Sequence, residues 1–447
     1  MFNFSQKQSP PRVVVISIDG VPYSFIQKRI AAGDLPNFKK LLDDGSMRRM
    51  NSVQPCVSSV AWASYMTGKN PGKHNIFGFI DKKSGTLETF VPTSENVMSE
   101  TIWEIMSRAG KKVFVMNVPG TFPPRPVNGI LIGCFLSTRL ESIAYPKHIS
   151  AELKARHYRI DARAAIAREN PDRFIDECNL VFTRRAEIML HYLEKEPWDF
   201  FQGHIMETDR MNHFFWDQAE NGDSPYAKAF SNFYKRLDEL IGVIDEKIGD
   251  EAELIVLSDH GFCAIKKEIY LNRFLAEAGL LKFKTASPKS LHDMHAESLA
   301  YSLIPGRVFI NLQGREPNGT ITPARYEWAR QQATQTLLEL RDPDDGAPII
   351  REVIKREEIY HGAYLPAAAD LIAIPHDGYD LKGDVTKAAL SEKTALAGMH
   401  TFDDALLFMR RHDNKPAREN LWIGDVAPTI LKLMNLPVPA DMDGVAL

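Results

Sequence analysis

Val13-Val14-Val15-Ile16-Ser17-Ile18-Asp19-Gly20 is the stretch that decides the architecture of this chain. It is β-branched, almost free of polar residues, and stops abruptly at an Asp-Gly pair, so it reads as a strand buried on both faces in a parallel sheet. Asp19 then sits at the strand's carboxyl end. The same pattern recurs further along the chain. From Ser99 to Ala109, Ile102, Trp103, Ile105 and Met106 fall at helical spacing; Gly110 closes the turn, and Lys112 to Val118 return as a strand. Later, Phe230, Phe233, Leu237, Leu240, Ile241, Ile244 and Ile248 mark an amphipathic helix, and Leu254 to Leu257 run as a strand into Ser258-Asp259-His260-Gly261.

Such alternation predicts an α/β fold: a mainly parallel sheet flanked by helices on both faces, with ligands bound at the carboxyl ends of its strands. The core is expected over residues 1–262 and 369–447, with Ala369 to Ile374 resuming a core strand and Asp425 to Met434 forming a last helix. Residues 263–368 read differently. They are punctuated by Pro and Gly, with a strand at Val308 to Leu312 and a helix from Ala324 to Leu340, and are expected to form an inserted smaller lobe or cap. A chain of 447 residues exceeds what one hydrophobic core usually organises, which suits a large domain with such an addition.

Composition narrows the function classes. With 44% hydrophobic and 25% charged residues the chain is an ordinary globular protein, neither disordered nor fibrous. Its net charge is −4 and its Lys and Arg are scattered, so neither polymeric nucleic acid as a partner nor a polybasic membrane anchor is expected. No stretch is long and apolar enough to span a bilayer. Cys56, Cys134, Cys178 and Cys263 lie far apart without C-x-x-C spacing, which favours reduced thiols over a disulfide framework or a zinc ribbon. The opening Met-Phe-Asn-Phe-Ser-Gln-Lys-Gln-Ser lacks a basic segment followed by an apolar run, so cytoplasmic residence is the expectation.

The chemistry lies in separate segments: Asp19-Gly20; Pro55-Cys56-Val57-Ser58-Ser59-Val60-Ala61-Trp62, leading to Thr67-Gly68; Asp209-Arg210-Met211-Asn212-His213; Ser258-Asp259-His260-Gly261; and Gly398-Met399-His400. Carboxylates and imidazoles without thiolates suit Zn²⁺ first, then Mn²⁺ or Fe²⁺. Asp209 and His213 are four residues apart, so a helix over Met206 to Trp216 would project both from one face toward one ion. Asp259 and His260 would point apart on a regular strand, and reach one ion together only if the chain turns at Gly261. Taken singly, Asp19 reads as a turn residue and Ser58 as a helix cap. Trp62, Phe214, Trp216 and Phe262 read as core aromatics, and His292 and His295 as surface histidines.

In their order and spacing these segments resemble the type I phosphodiesterase/nucleotide pyrophosphatase family of the alkaline phosphatase superfamily. In that family the nucleophile lies nine residues before the Thr of a Thr-Gly pair, and counting back from Thr67-Gly68 reaches Ser58. The resemblance implies an alkaline-phosphatase-like core and two divalent ions, one on Asp209, His213 and His400, the other on Asp19, Asp259, His260 and Ser58. It implies a metal-dependent hydrolase of phosphate esters acting on a small phosphorylated substrate, with a metal-activated Ser58 and a covalent phospho-enzyme intermediate. Many nucleotide-cleaving members use Thr where this chain has Ser58. A phosphomonoesterase or phosphomutase of the same superfamily is the alternative enzyme, and an inactive relative that binds a phosphorylated ligand is the alternative without catalysis. A formylglycine sulfatase is disfavoured, because neither Cys56 nor Ser58 is followed by the x-Pro-x-Arg that such conversion needs.

Overall fold

The computed structural model describes residues 11–220, 225–410 and 420–447. Its centre is an eight-stranded sheet in the order Gly45–Met50, Ala405–Arg410, Ala252–Leu257, Arg12–Ile18, Phe200–Ile205, Val113–Met116, Gly129–Ile132, Ala144–Tyr145. From Ala252–Leu257 through to Gly129–Ile132, neighbouring strands are parallel; antiparallel pairs close both edges. The continuous apolar run at the start of the chain has the predicted cause. Val14, Ile16 and Ile18 pack into the core on one face, while Val13 and Val15 pack into the core on the other.

Pro171–Lys195 and Ala227–Ile248 cover the first face; Ser58–Thr67, Ile102–Arg108 and Val426–Leu433 cover the second. The helix expected near Ser99 starts at Ile102, because Thr101 caps it. The Thr101 hydroxyl accepts from Glu104 N–H, and the Glu104 carboxylate accepts from Thr101 N–H at 2.8 Å.

The remaining strands build a separate layer with its own core of Ile269, Leu275, Tyr301, Val308 and Leu337. It holds a four-stranded sheet in the order Ala300–Leu303, Arg307–Ile310, Leu371–Pro375, Ile350–Lys355, packed against the helix Tyr326–Leu338. A three-stranded sheet of Tyr379–Lys382, Lys267–Tyr270 and Ser391–Glu392 adjoins it. The expectation that Ala369 to Ile374 returns to the central sheet is therefore corrected. Leu371 pairs with Val308 and with Lys355, inside the smaller sheet. An apolar β-branched run suits any buried strand, and its partners are chosen by long-range packing. The chain rejoins the large sheet only at Ala405–Arg410. Among the described residues, no helix is long and apolar enough to cross a membrane.

Candidate active site

Adjacent parallel strands deliver the acidic residues to one edge. Ile18 lies beside Ile205, and Ser17 beside Leu257, so Asp19, the helix Glu207–Phe215 and the Asp259-His260 pair all emerge at the carboxyl end of the sheet. The Asp19-Gly20 turn is tight. Gly20 has φ +63°, and a Cβ there would lie 2.6 Å from the Phe262 ring, so only glycine fits. Its N–H donates to Asp259 Oδ1 at 3.0 Å, which locks two strand ends together. The chain turns after Leu257 and enters the strand Gly261–Ala264, which pairs antiparallel with Gly398–Thr401 and sets Phe262 opposite His400. Ser58 opens the helix Ser58–Thr67, after Val57 in extended conformation.

All seven residues expected from the sequence come together in two adjoining groups. Asp209 Oδ1 lies 3.4 Å from His213 Nε2 and 3.3 Å from His400 Nε2, and the two imidazole nitrogens are 3.0 Å apart. Beside them, Ser58 Oγ lies 3.3 Å from Asp19 Oδ1 and 3.1 Å from His260 Nε2. His260 Nε2 is 3.7 Å from Asp19 Oδ1 and 3.4 Å from Asp259 Oδ2. The groups touch, since the His260 and His400 rings stack at 3.6 Å.

These separations bear on whether a metal fits. Donors about 2.0–2.1 Å from a tetrahedral ion are about 3.3 Å apart, and both groups show such edges. Their other ring nitrogens are already occupied: Nδ1 of His213 faces Gly398 O at 3.0 Å, that of His260 faces Gly261 O at 3.0 Å, and that of His400 faces Cys56 O at 3.2 Å. This leaves each Nε2 as the free donor. Asp209 Oδ1 and Asp259 Oδ2 are buried without a hydrogen-bond partner, a costly state for a carboxylate that a cation would relieve.

The carboxyls and imidazoles of the two groups respond differently to their surroundings. Burial and the charge of Asp19 push Asp259 well above the usual carboxylate range. Burial, with His400 alongside, takes His260 down to about 3, so it is neutral and able to ligate. Burial also opposes ionisation of Asp209, but His213, His400 and Arg210 outweigh it and hold that carboxyl well below the usual range.

Side chains beyond those foreseen surround Asp19. Trp62 Nε1–H donates to Asp19 Oδ2 at 2.9 Å, and His204 Nε2 lies 3.2 Å from the same oxygen. Trp62 was expected to be simple core. It stands four residues after Ser58, one helical turn on, and that spacing was the available signal. His204 was not foreseen. Gln202 and His204 are polar at alternate positions of a buried strand, which marks a polar strip on one face. Tyr65 O–H donates to Gln202 Oε1 at 2.9 Å, Gln202 Nε2 to Ser17 Oγ at 3.3 Å, and Ser17 Oγ meets His204 Nδ1 at 2.9 Å. Arg210 bridges Asp209 Oδ2 at 3.1 Å and Asp161 Oδ2 at 2.6 Å.

A cleft of about 240 Å³ opens beside His213 and His400, between residues 54–57 and 399–403 of the large unit and the smaller sheets' Ile304, Pro305, Ile372 and Ile374.

The family profile described as type I phosphodiesterase/nucleotide pyrophosphatase matches residues 13–403. Among solved structures, phosphonoacetate hydrolase from Sinorhizobium meliloti, in complex with phosphonoformate, is similar with a TM-score of 0.65 at 17% identity, over 95% of this chain and 96% of that one. Murine ectonucleotide pyrophosphatase/phosphodiesterase 5 is similar with a TM-score of 0.56 at 15% identity, over 96% of each chain. The human form of the latter gives 0.56 at 15%, over 97% of each.

Proposed function

Because the chain belongs to the type I phosphodiesterase/nucleotide pyrophosphatase family of phosphoester hydrolases, we propose that it cleaves phosphodiester or pyrophosphate bonds of small phosphorylated substrates, using Ser58 and two divalent ions. One observation carries the reading: Ser58 Oγ stands 3.1 Å from His260 Nε2 and 3.3 Å from Asp19 Oδ1, next to a second group of three donors on Asp209, His213 and His400. Zn²⁺ is the ion these donors suit best, and the free cysteines accord with a reducing, cytoplasmic setting.

Asp19, Asp259 and His260 would hold one ion with Ser58, and Asp209, His213 and His400 the other. When bound, such ions lower the pKa of an attached hydroxyl and offset charge on the leaving oxygen. Ser58 gives its proton to solvent and its oxygen bonds to phosphorus in line; the opposite P–O bond breaks, and its electron pair leaves on the departing oxygen, which takes a proton from water. Water then attacks the phosphoseryl group, the Ser58–phosphorus bond breaks, and Ser58 is regenerated. Ser58 heads its helix, so the free N–H groups of the first turn favour the phosphate anion. The Trp62 N–H holds Asp19 by its Oδ2, and Asp19 Oδ1 faces Ser58.

The phosphomonoesterase or phosphomutase reading calls for further cations around the non-bridging oxygens. The candidates are otherwise engaged: Lys69 pairs with Asp441, Lys73 with Asp443, and Arg210 with Asp161 and Asp209. This favours the diester. Initial rates on bis(4-nitrophenyl) phosphate and 4-nitrophenyl phosphate, with and without chelator, test the proposal. The diester should turn over faster and only with metal; faster monoester turnover, or rates indifferent to chelation, would reject it.

A further inference from the structure

The cleft between the two units is one-sided with respect to the chemistry. Its lining includes His213 and His400, but not Asp19, Asp259, His260 or Ser58. In-line displacement sends the departing oxygen away from Ser58, toward Asp209, His213 and His400, which is the side the cleft opens on. Part of its wall is apolar: Ile304, Pro305, Ile372 and Ile374 come from the smaller unit, and Val57 and Met399 from the large one. Its charged residues are solvated or paired: Arg351, His376, Asp377 and Asp403 are exposed, and Lys382 pairs with Asp380 at 2.5 Å.

Resting on the reading above and narrowing it to phosphodiesters, we propose that the smaller unit is a selectivity element: the cleft receives the leaving alcohol of the substrate, and that alcohol is an uncharged, apolar organic group. A pyrophosphate or nucleotide leaving group would exchange water for the wall of Ile304, Pro305, Ile372 and Ile374, whose side chains have no donor to repay that loss. Size agrees. An apolar cavity of about 150 Å³ admits one benzene ring, so about 240 Å³ has room for an aryl or branched alkyl group larger than that. The arm of a diester that stays on phosphorus through the first step does not enter this cleft.

The test is a pair of substrate series on the metal-loaded full chain. In one the leaving arm varies, methyl 4-nitrophenyl phosphate against methyl 4-nitro-1-naphthyl phosphate. In the other the leaving group is always 4-nitrophenol and the retained arm is methyl or phenyl. ATP supplies a charged leaving group. Ile304 lines the cleft and is only half-buried, so Ile304→Asp places a charge there with little threat to folding, and Ile374→Ala enlarges the same wall. For Ile304→Asp, kcat/KM on the naphthyl ester should fall on the order of 10- to 100-fold, with the retained-arm ratio unchanged. Ile374→Ala should shift preference toward the naphthyl leaving group. A change in the retained-arm ratio as large as the change in the leaving-arm ratio, or wild-type turnover of ATP faster than of the aryl diesters, would overturn the assignment. Ser58→Ala run on the same substrates separates this from the underlying reading: undiminished turnover there would sink the nucleophile and leave the cleft's selectivity to be read on its own.

Discussion

Replacing Trp62 by Phe isolates the clamp on Asp19. The indole is fully buried, with its ring edge-on to Tyr65 at 5.3 Å and to His204 at 4.9 Å. A phenyl ring keeps much of that packing and loses the N–H that reaches Asp19 Oδ2 at 2.9 Å. A hydrogen bond to a buried charged group contributes about 1.5–3 kcal/mol. If Asp19 must be held for Ser58 to react, that loss converts to a fall in kcat/KM of about 10- to 150-fold, at about 1.4 kcal/mol per decade. The same variant loses some packing and with it about 1 kcal/mol of stability. Trp103→Phe controls for that term, because Trp103 is equally deep in the core on the same face of the sheet but has no contact with the site carboxylates. Rates on an aryl diester across a Zn²⁺ or Mn²⁺ titration, bound metal after dialysis and thermal melts should be measured on both variants. The expected result is similar melting losses, with weaker metal retention and slower turnover in Trp62→Phe alone. If both variants lose only stability, Trp62 is core packing and the clamp argument is wrong.

Ser58→Ala should reduce turnover by more than about a thousandfold while the melting profile and bound metal show a folded, loaded protein; near-normal rates would move the nucleophile elsewhere. Chelation should abolish activity and lower Tm, and Zn²⁺ or Mn²⁺ should restore both, since an ion at about a hundred times its Kd stabilises by about 2.7 kcal/mol; an unchanged melt would argue against resident ions. Acid sensitivity should come partly from His74, which burial pushes down to about 3 and which accepts from Ile76 N–H at Nδ1 while Nε2 meets Ser64 Oγ at 2.9 Å. A lowered pKa means that the folded state binds fewer protons than the unfolded one, so stability falls as pH drops from about 6.5 toward 3, by up to about 1.4 kcal/mol per pH unit. Denaturant melts across that range should show a shallower slope for His74→Gln, and equal slopes would refute the assignment.

What was legible in the sequence was local. A continuous apolar run ending in an acid announces a buried parallel strand and sets Asp19 and Asp259 at its end; a spacing of four in a helix predicts that Asp209 and His213 meet, as they do at 3.4 Å. Less legible was anything decided by partners distant in the chain. Leu371–Pro375 has the composition of a core strand, yet its neighbours are Arg307–Ile310 and Ile350–Lys355. His204 looks unremarkable beside Ile205 until parallel pairing sets it against Ser17 and beneath Asp19.

The placement of His400 shows why the two kinds of information meet at the site. The chain leaves the large unit through Gly261–Ala264 and comes back through Gly398–Thr401, and these strands pair at the root of the smaller unit. That pairing sets His400 opposite Phe262, so closing the long excursion is what carries His400 to within 3.3 Å of Asp209. The same strand supplies Met399 and Thr401 to the cleft lining. One structural event therefore completes the group of Asp209, His213 and His400 and forms a wall of the cleft, so under the proposed function selection of the substrate and assembly of the site depend on the same strand pairing.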